Sequence, residues 1–361
     1  MISTENAYTL RHFEGGMMEK RRLGRTNMMV SRIGFGGIPI QNLTEEEAIE
    51  VVKNCLDQGI TFLDTSRMYT NSEERIGKAI AGRREDLILA TKSFSRTAKD
   101  MAADLKTSLK NLNTDCIDLY QFHSVNDFDV LKKVLKPDGP MTILQEAKRD
   151  GVVKHIGLTS HTLEVAKEAV VSDHFETVMV ALNFVNTEVV SELLPLAREH
   201  DVGVLTMKPF AGGMLDNATI AFKYLMQFPD IVPLVGIAKM GEIEEIMRII
   251  EKAEPITEQE RLEMERITKE LGTGFCRMCD YCQPCPQEIR ISAVMYAKVA
   301  ATRFDPERVF KGPFNQFVEK VADCTECGEC EPKCPYKLPI REKIVEAAEF
   351  FFAEKKKYIG K

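Results

Sequence analysis

Eight of the ten cysteines in this 361-residue chain fall between Cys276 and Cys334; only Cys55 and Cys116 precede them. Dispersed structural disulfides would not cluster this way, and a reducing compartment would not maintain them. The crowding leaves metal ligation or redox chemistry. It also predicts a small C-terminal unit built round its thiols, attached to whatever core the earlier residues form.

The second cysteine run is Cys324-Thr325-Glu326-Cys327-Gly328-Glu329-Cys330-Glu331-Pro332-Lys333-Cys334-Pro335. Its C-x₂-C-x₂-C-x₃-C-P spacing resembles bacterial ferredoxins, where three close thiolates hold one cubane and the remote cysteine ligates the other cluster. The first run, Cys276, Cys279, Cys282 and Cys285, keeps the trailing Pro286 but has one residue fewer before its last cysteine. Paired C-x₂-C motifs also suit tetrahedral zinc, and four thiolates per ion would use all eight. Zinc sites, however, want two knuckles rather than a C-x₂-C-x₂-C run, and they gain nothing from C-P. The expectation is therefore two [4Fe–4S] clusters, with Cys334 completing that of Cys276, Cys279 and Cys282, and Cys285 that of Cys324, Cys327 and Cys330. Helical periodicity at Ile291, Val294, Met295 and Val299 makes the intervening segment helical. The arrangement resembles the α-helical ferredoxin domains fused to many redox enzymes. Cys55, on the apolar face of a helix, and Cys116, opening a strand, read as small buried hydrophobes.

Ahead of the cysteines, apolar runs at 33–36, 61–64, 87–92, 117–123, 155–160, 177–183, 203–209 and 231–237 alternate with amphipathic helical stretches. The helices are expected at 44–56, 72–80, 100–112, 143–149, 163–171, 189–200, 218–228, 242–252 and 258–271. In the first, Thr44 with Glu47 makes a capping box and Gly59 ends the unit. Several strands are apolar on both faces, as in a buried parallel sheet. Eight β–α units predict an α/β fold, a closed (β/α)₈ TIM barrel followed by a small all-helical iron–sulfur domain. No Gly-x-Gly-x-x-Gly follows a strand, which counts against a Rossmann sheet. The expected divisions are an N-terminal extension at 1–17, the barrel at 18–271 and the cluster domain at 272–361. A net charge of −7 disfavours nucleic acid or an anionic membrane as partner. No apolar stretch nears the ~20 residues of a membrane span, and the N-terminus lacks a signal-peptide plan. The simplest location is cytoplasmic.

Four residues fall where a barrel keeps its chemistry: Asp64, Lys92 and His123 at the ends of the second, third and fourth strands, and Tyr69 in the loop after Asp64. A buried lysine needs a carboxylate to stay charged, which Asp64 supplies. Its ammonium would draw the Tyr69 pKa down toward working range, and histidine can polarise a carbonyl oxygen. Singly each has a structural reading, as a cap, a rim charge or a satisfied histidine; four at these offsets point to function. The run from Phe62-Leu63-Asp64 to Tyr69-Thr70-Asn71-Ser72-Glu73, the stretch Leu89-Ala90-Thr91-Lys92 and the stretch Asp118 to His123 resemble the signature segments of the aldo-keto reductases, over about residues 18–255. The resemblance implies Tyr69 as proton donor, Lys92 and Asp64 as its tuning pair, His123 as orienter of a carbonyl, and hydride from NAD(H) or NADP(H).

Along the cofactor site this chain departs from that family. Ser160 matches the carboxamide contact, but His161 stands for an asparagine, Met179 for a glutamine, and Met207 for a stacking aromatic. Lys208 is positioned to reach the pyrophosphate, and Gly236, Lys239 and Glu242 align with the clamp for the adenosine 2′-phosphate. A carboxylate at Glu242 repels phosphate and suits the ribose hydroxyl of NAD. The leading expectation is an iron–sulfur oxidoreductase acting on a small-molecule carbonyl or alcohol, with a ferredoxin or other electron-transfer protein as candidate partner. The other reading is an electron carrier or redox-regulatory protein whose barrel turns nothing over. Nicotinamide moves two electrons and a cluster one, so joining them normally needs a splitter, and no motif for one is present.

Overall fold

The computed structural model describes residues 18–272, 276, 282–334 and 337–360. Its larger part is a closed barrel of eight parallel strands in sequential order. These are Gly34–Gly36, Phe62–Asp64, Ile88–Ser93, Ile117–Phe122, Val153–Thr159, Thr177–Ala181, Gly203–Met207 and Ile231–Gly236. Closure is direct: Leu234 pairs with Gly34, and the register runs on through Phe35–Leu63, Leu63–Leu89 and Ala90–Leu119. Phe62, Ala90, Leu119, Met179, Leu205, Val232 and Leu234 fill the interior, while the alternate residues pack outward against the helices. A Cβ at Gly157 would sit 2.2 Å from Thr177 Oγ1, so this strand contact admits only glycine.

Below the strands lies an antiparallel hairpin, Lys20–Arg22 with Met29–Ser31. Leu23 and Val30 from this hairpin are buried against the interior layer and floor the barrel. Arg25 N–H donates to the Asp201 carbonyl, holding the floor to the start of the seventh strand.

The helices follow the expected plan with two differences. The span 189–200 is broken into Glu188–Glu192 and Leu194–Glu199, with Pro195 in the first turn of the second piece, where its missing N–H does no harm. A helix at Phe128–Leu135 went unforeseen; Asp127 caps it by accepting from Val130 N–H. The Thr44–Glu47 capping box forms as expected. Helix Glu258–Gly272 sends Met264, Ile267 and Leu271 onto Phe184, Val185 and Leu215 of the barrel.

The C-terminal part has a core of its own, which includes Ile289, Val294, Phe310, Val318, Ile344 and Phe351. Short helices at Ile291–Met295, Ala297–Arg303, Pro306–Lys311 and Pro313–Glu319 pack on the long helix Ile340–Ile359. Among the described residues this part holds no strand, matching the all-helical expectation. No helix of the described residues is long and apolar enough to cross a membrane.

Candidate active site and cluster cavity

At the C-terminal ends of strands two to four, four side chains converge. Lys92, 2 % exposed, donates from Nζ to Asp64 Oδ2 and, at 2.8 Å, to the Thr65 carbonyl. Gln121 Nε2 donates to the other Asp64 oxygen at 3.0 Å, so the carboxylate is held from both sides. The Lys92 ammonium lies 5.0 Å from the Tyr69 ring centroid. Tyr69 meets the His123 ring edge-on at 5.9 Å. His123 Nδ1 is 3.0 Å from Ser66 Oγ, and its other face packs against Phe94 at 4.2 Å. The loop bearing Tyr69 is fixed by backbone bonds, Thr65 N–H to Ala90 O and Arg67 N–H to Lys92 O. All four residues named from the sequence are thus brought together; Gln121 and Ser66, which position two of them, were not legible from spacing.

The electrostatics depart from one expectation. Tyr69 is held well above the ordinary tyrosine pKa, because burial disfavours the phenolate, with the Asp64 carboxylate and then the Tyr296 phenol adding to the shift. The predicted downward pull of Lys92 does not prevail against the burial of the phenol. Within the pair, burial pulls Lys92 down and Asp64 up, and each opposes the other's shift. Burial, aided by Lys92, His161 and Arg96, keeps His123 well below its usual value. The resulting site offers a neutral phenol O–H and a neutral imidazole at pH 7.

His161 shifts the same way, by burial and then the Lys208 charge. The folded chain therefore refuses protons that the unfolded chain takes up below about pH 6.5, so these histidines cost stability as pH falls and not as it rises. Unfolding free energy should drop by on the order of 1–2 kcal/mol per pH unit just below pH 6.5. Urea titrations across pH 5–7 should show the slope roughly halved in His161→Gln, which removes one of the two sites.

On the cofactor side, Ser160 Oγ is engaged within its own loop, donating to the Thr162 carbonyl at 3.0 Å and accepting from Thr162 N–H. Asn126 anchors the same loop through His161 N–H, and His161 Nδ1 is shut from solvent with no hydrogen-bond partner among the described residues. Met179 belongs to the barrel interior and Met207 packs against it. Lys208, with φ at +60°, turns its ammonium over the Tyr296 ring at 5.6 Å, and burial lowers its pKa to about 8. Beyond the eighth strand, Glu242 accepts from Ala238 and Lys239 N–H at 2.7 and 3.0 Å, capping the helix Met240–Lys252. Gly236 is needed bare: a Cβ would lie 2.8 Å from Pro39 Cγ.

In the C-terminal part, Cys285, Cys324, Cys327 and Cys330 line one cavity, closed by Ile289, Ile291 and Ile344, with Arg341 alongside. Three thiols of the second run thus share a space with the last thiol of the first. Among the described residues, no three cysteine, histidine or carboxylate side chains come close enough to grip a single ion. Lys333 Nζ donates to the Pro284 carbonyl at 3.1 Å and so ties the two runs together. Cys282 and Cys334 are both buried in this part's core, and Cys276 packs against it. Cys279 lies outside the described residues. The donor set, soft thiolates in an apolar wall, fits iron–sulfur clusters.

The profile of the Aldo/keto reductase family matches residues 32–220, more than half of the chain. The chain belongs to the aldo/keto reductase family. A 4Fe-4S dicluster domain matches residues 275–339. Among relatives, the uncharacterised oxidoreductase YqkF of Bacillus subtilis is 30% identical over 55% of this chain and 67% of its own length. L-galactose dehydrogenase of Arabidopsis thaliana is 31% identical with the same coverage. An aldo-keto reductase from Bacillus halodurans in its holo form superposes with a TM-score of 0.60 at 25% identity, covering 69% of this chain and 96% of that one. An aldo-keto reductase from Klebsiella pneumoniae in complex with NADPH has the same fold at a TM-score of 0.59 and 19% identity, covering 70% of this chain and 95% of that one.

This reductase is thus an oxidoreductase with an iron–sulfur domain. Its less expected feature is where that domain reaches. Arg308 donates to the Met68 carbonyl beside Tyr69, and the Tyr296 ring lies 5.6 Å from the Lys208 ammonium. No local pattern in the sequence announces these contacts, because each joins residues from two separately readable units.

Proposed function

We propose that the barrel interconverts a carbonyl compound and its alcohol with NAD(H) or NADP(H), Tyr69 serving as acid and base at its Oη. The convergence of Tyr69, His123 and the Lys92–Asp64 pair at the barrel rim carries this reading. The nicotinamide supplies hydride when bound. Tyr69, kept neutral, gives its proton to the developing alkoxide. The neutral imidazole of His123 orients the carbonyl oxygen toward it, and Lys92 stabilises the phenolate left behind. Ser160, His161, Met179, Met207 and Lys208 would border the nicotinamide half of the cofactor, and Gly236, Lys239 and Glu242 the adenosine half. Anaerobic steady-state assay with aldehydes and ketones plus NADH or NADPH tests the reading, and complete silence across the panel refutes it.

Two [4Fe–4S] clusters, each a one-electron group, accompany the barrel in this proposal and exchange electrons with a ferredoxin or similar protein. Cys276, Cys279, Cys282 and Cys334 would hold one, and Cys324, Cys327, Cys330 and Cys285 the other. The shared cavity of the last four supports the exchange of remote ligands. Cys334→Ser should lower iron from about eight to about four per chain. Adding Cys276→Ser should lose little more, whereas adding Cys324→Ser should empty both sites; the reverse pattern contradicts the exchange. The proposed domain division is 18–271 for the barrel and 272–361 for the cluster domain, with 1–17 as an extension.

Glu242 favours NADH, because a carboxylate at the helix start repels a 2′-phosphate. Glu242→Gln keeps an acceptor for the two N–H groups while removing the charge. It should improve NADPH relative to NADH by about three- to tenfold in kcat/KM.

The engagement of Ser160 within its own loop, with methionines at 179 and 207, favours a second reading: an electron carrier or redox regulator without carbonyl turnover. Preserved viologen oxidation in a chain silent toward all carbonyls would select it.

A further inference from the structure

The long helix Ile340–Ile359 begins at the cluster cavity. Arg341 and Ile344, one turn apart at its start, line the wall together with Cys285, Cys324, Cys327 and Cys330. Among the described residues Arg341 is the one charged side chain on that wall. Its guanidinium rests on the cysteine run itself. Nη1 donates to the Glu326 carbonyl at 3.4 Å, where Glu326 takes a left-handed backbone with φ at +55°. On the other side of Cys327, Gly328 also has a positive φ, +76°, and a Cβ there would lie 3.8 Å from Arg341 Cζ and Nη1. The cation is thus laid across the two residues that flank Cys327, whose thiol is exposed.

Glu331, next to Cys330, holds the guanidinium in this position. Its carboxylate accepts from Nε at 3.1 Å and from Nη2 at 2.9 Å, a forked pair, and also from Arg341 N–H at 3.1 Å. The last bond serves a backbone donor that the first turn of a helix leaves without an intrahelical partner. The pair is anchored at three points yet not sealed, for the side chains of Arg341 and Glu331 are 44 % and 25 % exposed. Solvent therefore weakens the field of the guanidinium without cancelling it. A half-exposed ion pair contributes little to folding, so its placing against the thiols calls for another account.

We infer that Arg341 sets the reduction potential of the cluster held at this cavity, with Glu331 as the counter-charge that both positions and moderates it. The inference rests on the proposed ligand set of Cys285, Cys324, Cys327 and Cys330. Taking up one electron adds one negative charge to a group that its thiolates already make anionic. A fixed cation beside that group favours the reduced state and raises the potential, and a neighbouring carboxylate opposes it.

The test uses the full chain, purified anaerobically with its iron, as wild type, Arg341→Gln, Glu331→Gln and Cys327→Ala. Electron paramagnetic resonance during a redox titration with dithionite as the electron donor reads each potential without turnover. Cys327→Ala identifies the signal of the cavity cluster as the one it loses, with iron falling from about eight to about four per chain. Arg341→Gln should make that cluster about three- to tenfold harder to reduce, a fall of about 30–60 mV for a one-electron couple. Glu331→Gln, which keeps an oxygen for Arg341 N–H, should move the same signal upward. The potential of the other cluster should stay in place. Both glutamine variants break one ion pair, so a purely structural role would shift the potential the same way in both; opposite signs require the charge. The Arg341→Gln shift should also shrink at about 1 M KCl, where the screening length is ~3 Å. If Arg341→Gln loses iron, Glu331→Gln decides alone: an upward shift supports the inference, and a downward shift or none overturns it. Unmoved potentials in both variants, or shifts of one sign, overturn it while the loss in Cys327→Ala leaves the ligand set standing. Unchanged iron in Cys327→Ala refutes the ligand set and the inference with it.

Discussion

Tyr69→Phe should lower kcat for carbonyl reduction by about 10²- to 10⁴-fold, the usual contribution of a positioned acid. Removing one oxygen leaves the ring against His123 and the ammonium beside it, so nicotinamide affinity should hold while the proton-transfer step collapses. Single-turnover kinetics on the loaded enzyme separates the two. The pH profile gives an independent check. Reduction needs the neutral phenol, and burial with Asp64 and Tyr296 holds Tyr69 well above 10. The wild-type rate should therefore stay level through neutral and mildly alkaline pH and fall only far above it. A Tyr69→Phe enzyme within threefold of wild type would remove Tyr69 from the chemistry.

Lys92→Met should be the most damaging change to the fold, by about 3–5 kcal/mol, because it strands the buried Asp64 carboxylate without its partner. Gln121 still donates to one oxygen but brings no charge. Burial raises the Asp64 pKa, so the stranded group is easiest to accommodate when protonated. A group raised in the folded state contributes stability below its unfolded pKa and loses it as pH rises through the folded one. The deficit of Lys92→Met should accordingly be smaller at pH 5 than at pH 8. Adding Asp64→Asn should recover part of it, as chemical denaturation of the four-member cycle would show. An additive cycle would mean that the pair is not coupled.

Much of this architecture was legible because each part repeats a local rule. Apolar strands followed by amphipathic helices marked eight β–α units, and strand ends marked Asp64, Lys92 and His123. The cysteine spacing marked the iron–sulfur domain. What escaped had a different physical origin. The break at Pro195 and the short helix after Asp127 are local, and their cues, a proline and a capping aspartate, were present in the sequence. The Tyr69 shift was misjudged in sign because proximity to Lys92 was read without the desolvation that accompanies it. The contacts of Tyr296 with Lys208 and of Arg308 with Met68 were invisible for a deeper reason: each joins two folded units, and periodicity within either unit carries no record of that.

The hairpin under the barrel has a consequence for traffic through the enzyme. Leu23 and Val30 close the lower end, so among the described residues the way to the four converging side chains is past the upper rim, where Arg308 of the cluster domain meets the Met68 carbonyl. Whatever lies nearer the floor must arrive first and depart last. If the proposed reductase holds its cofactor below its substrate, binding and release would follow a fixed order, and clearing that way out could then set the pace of turnover.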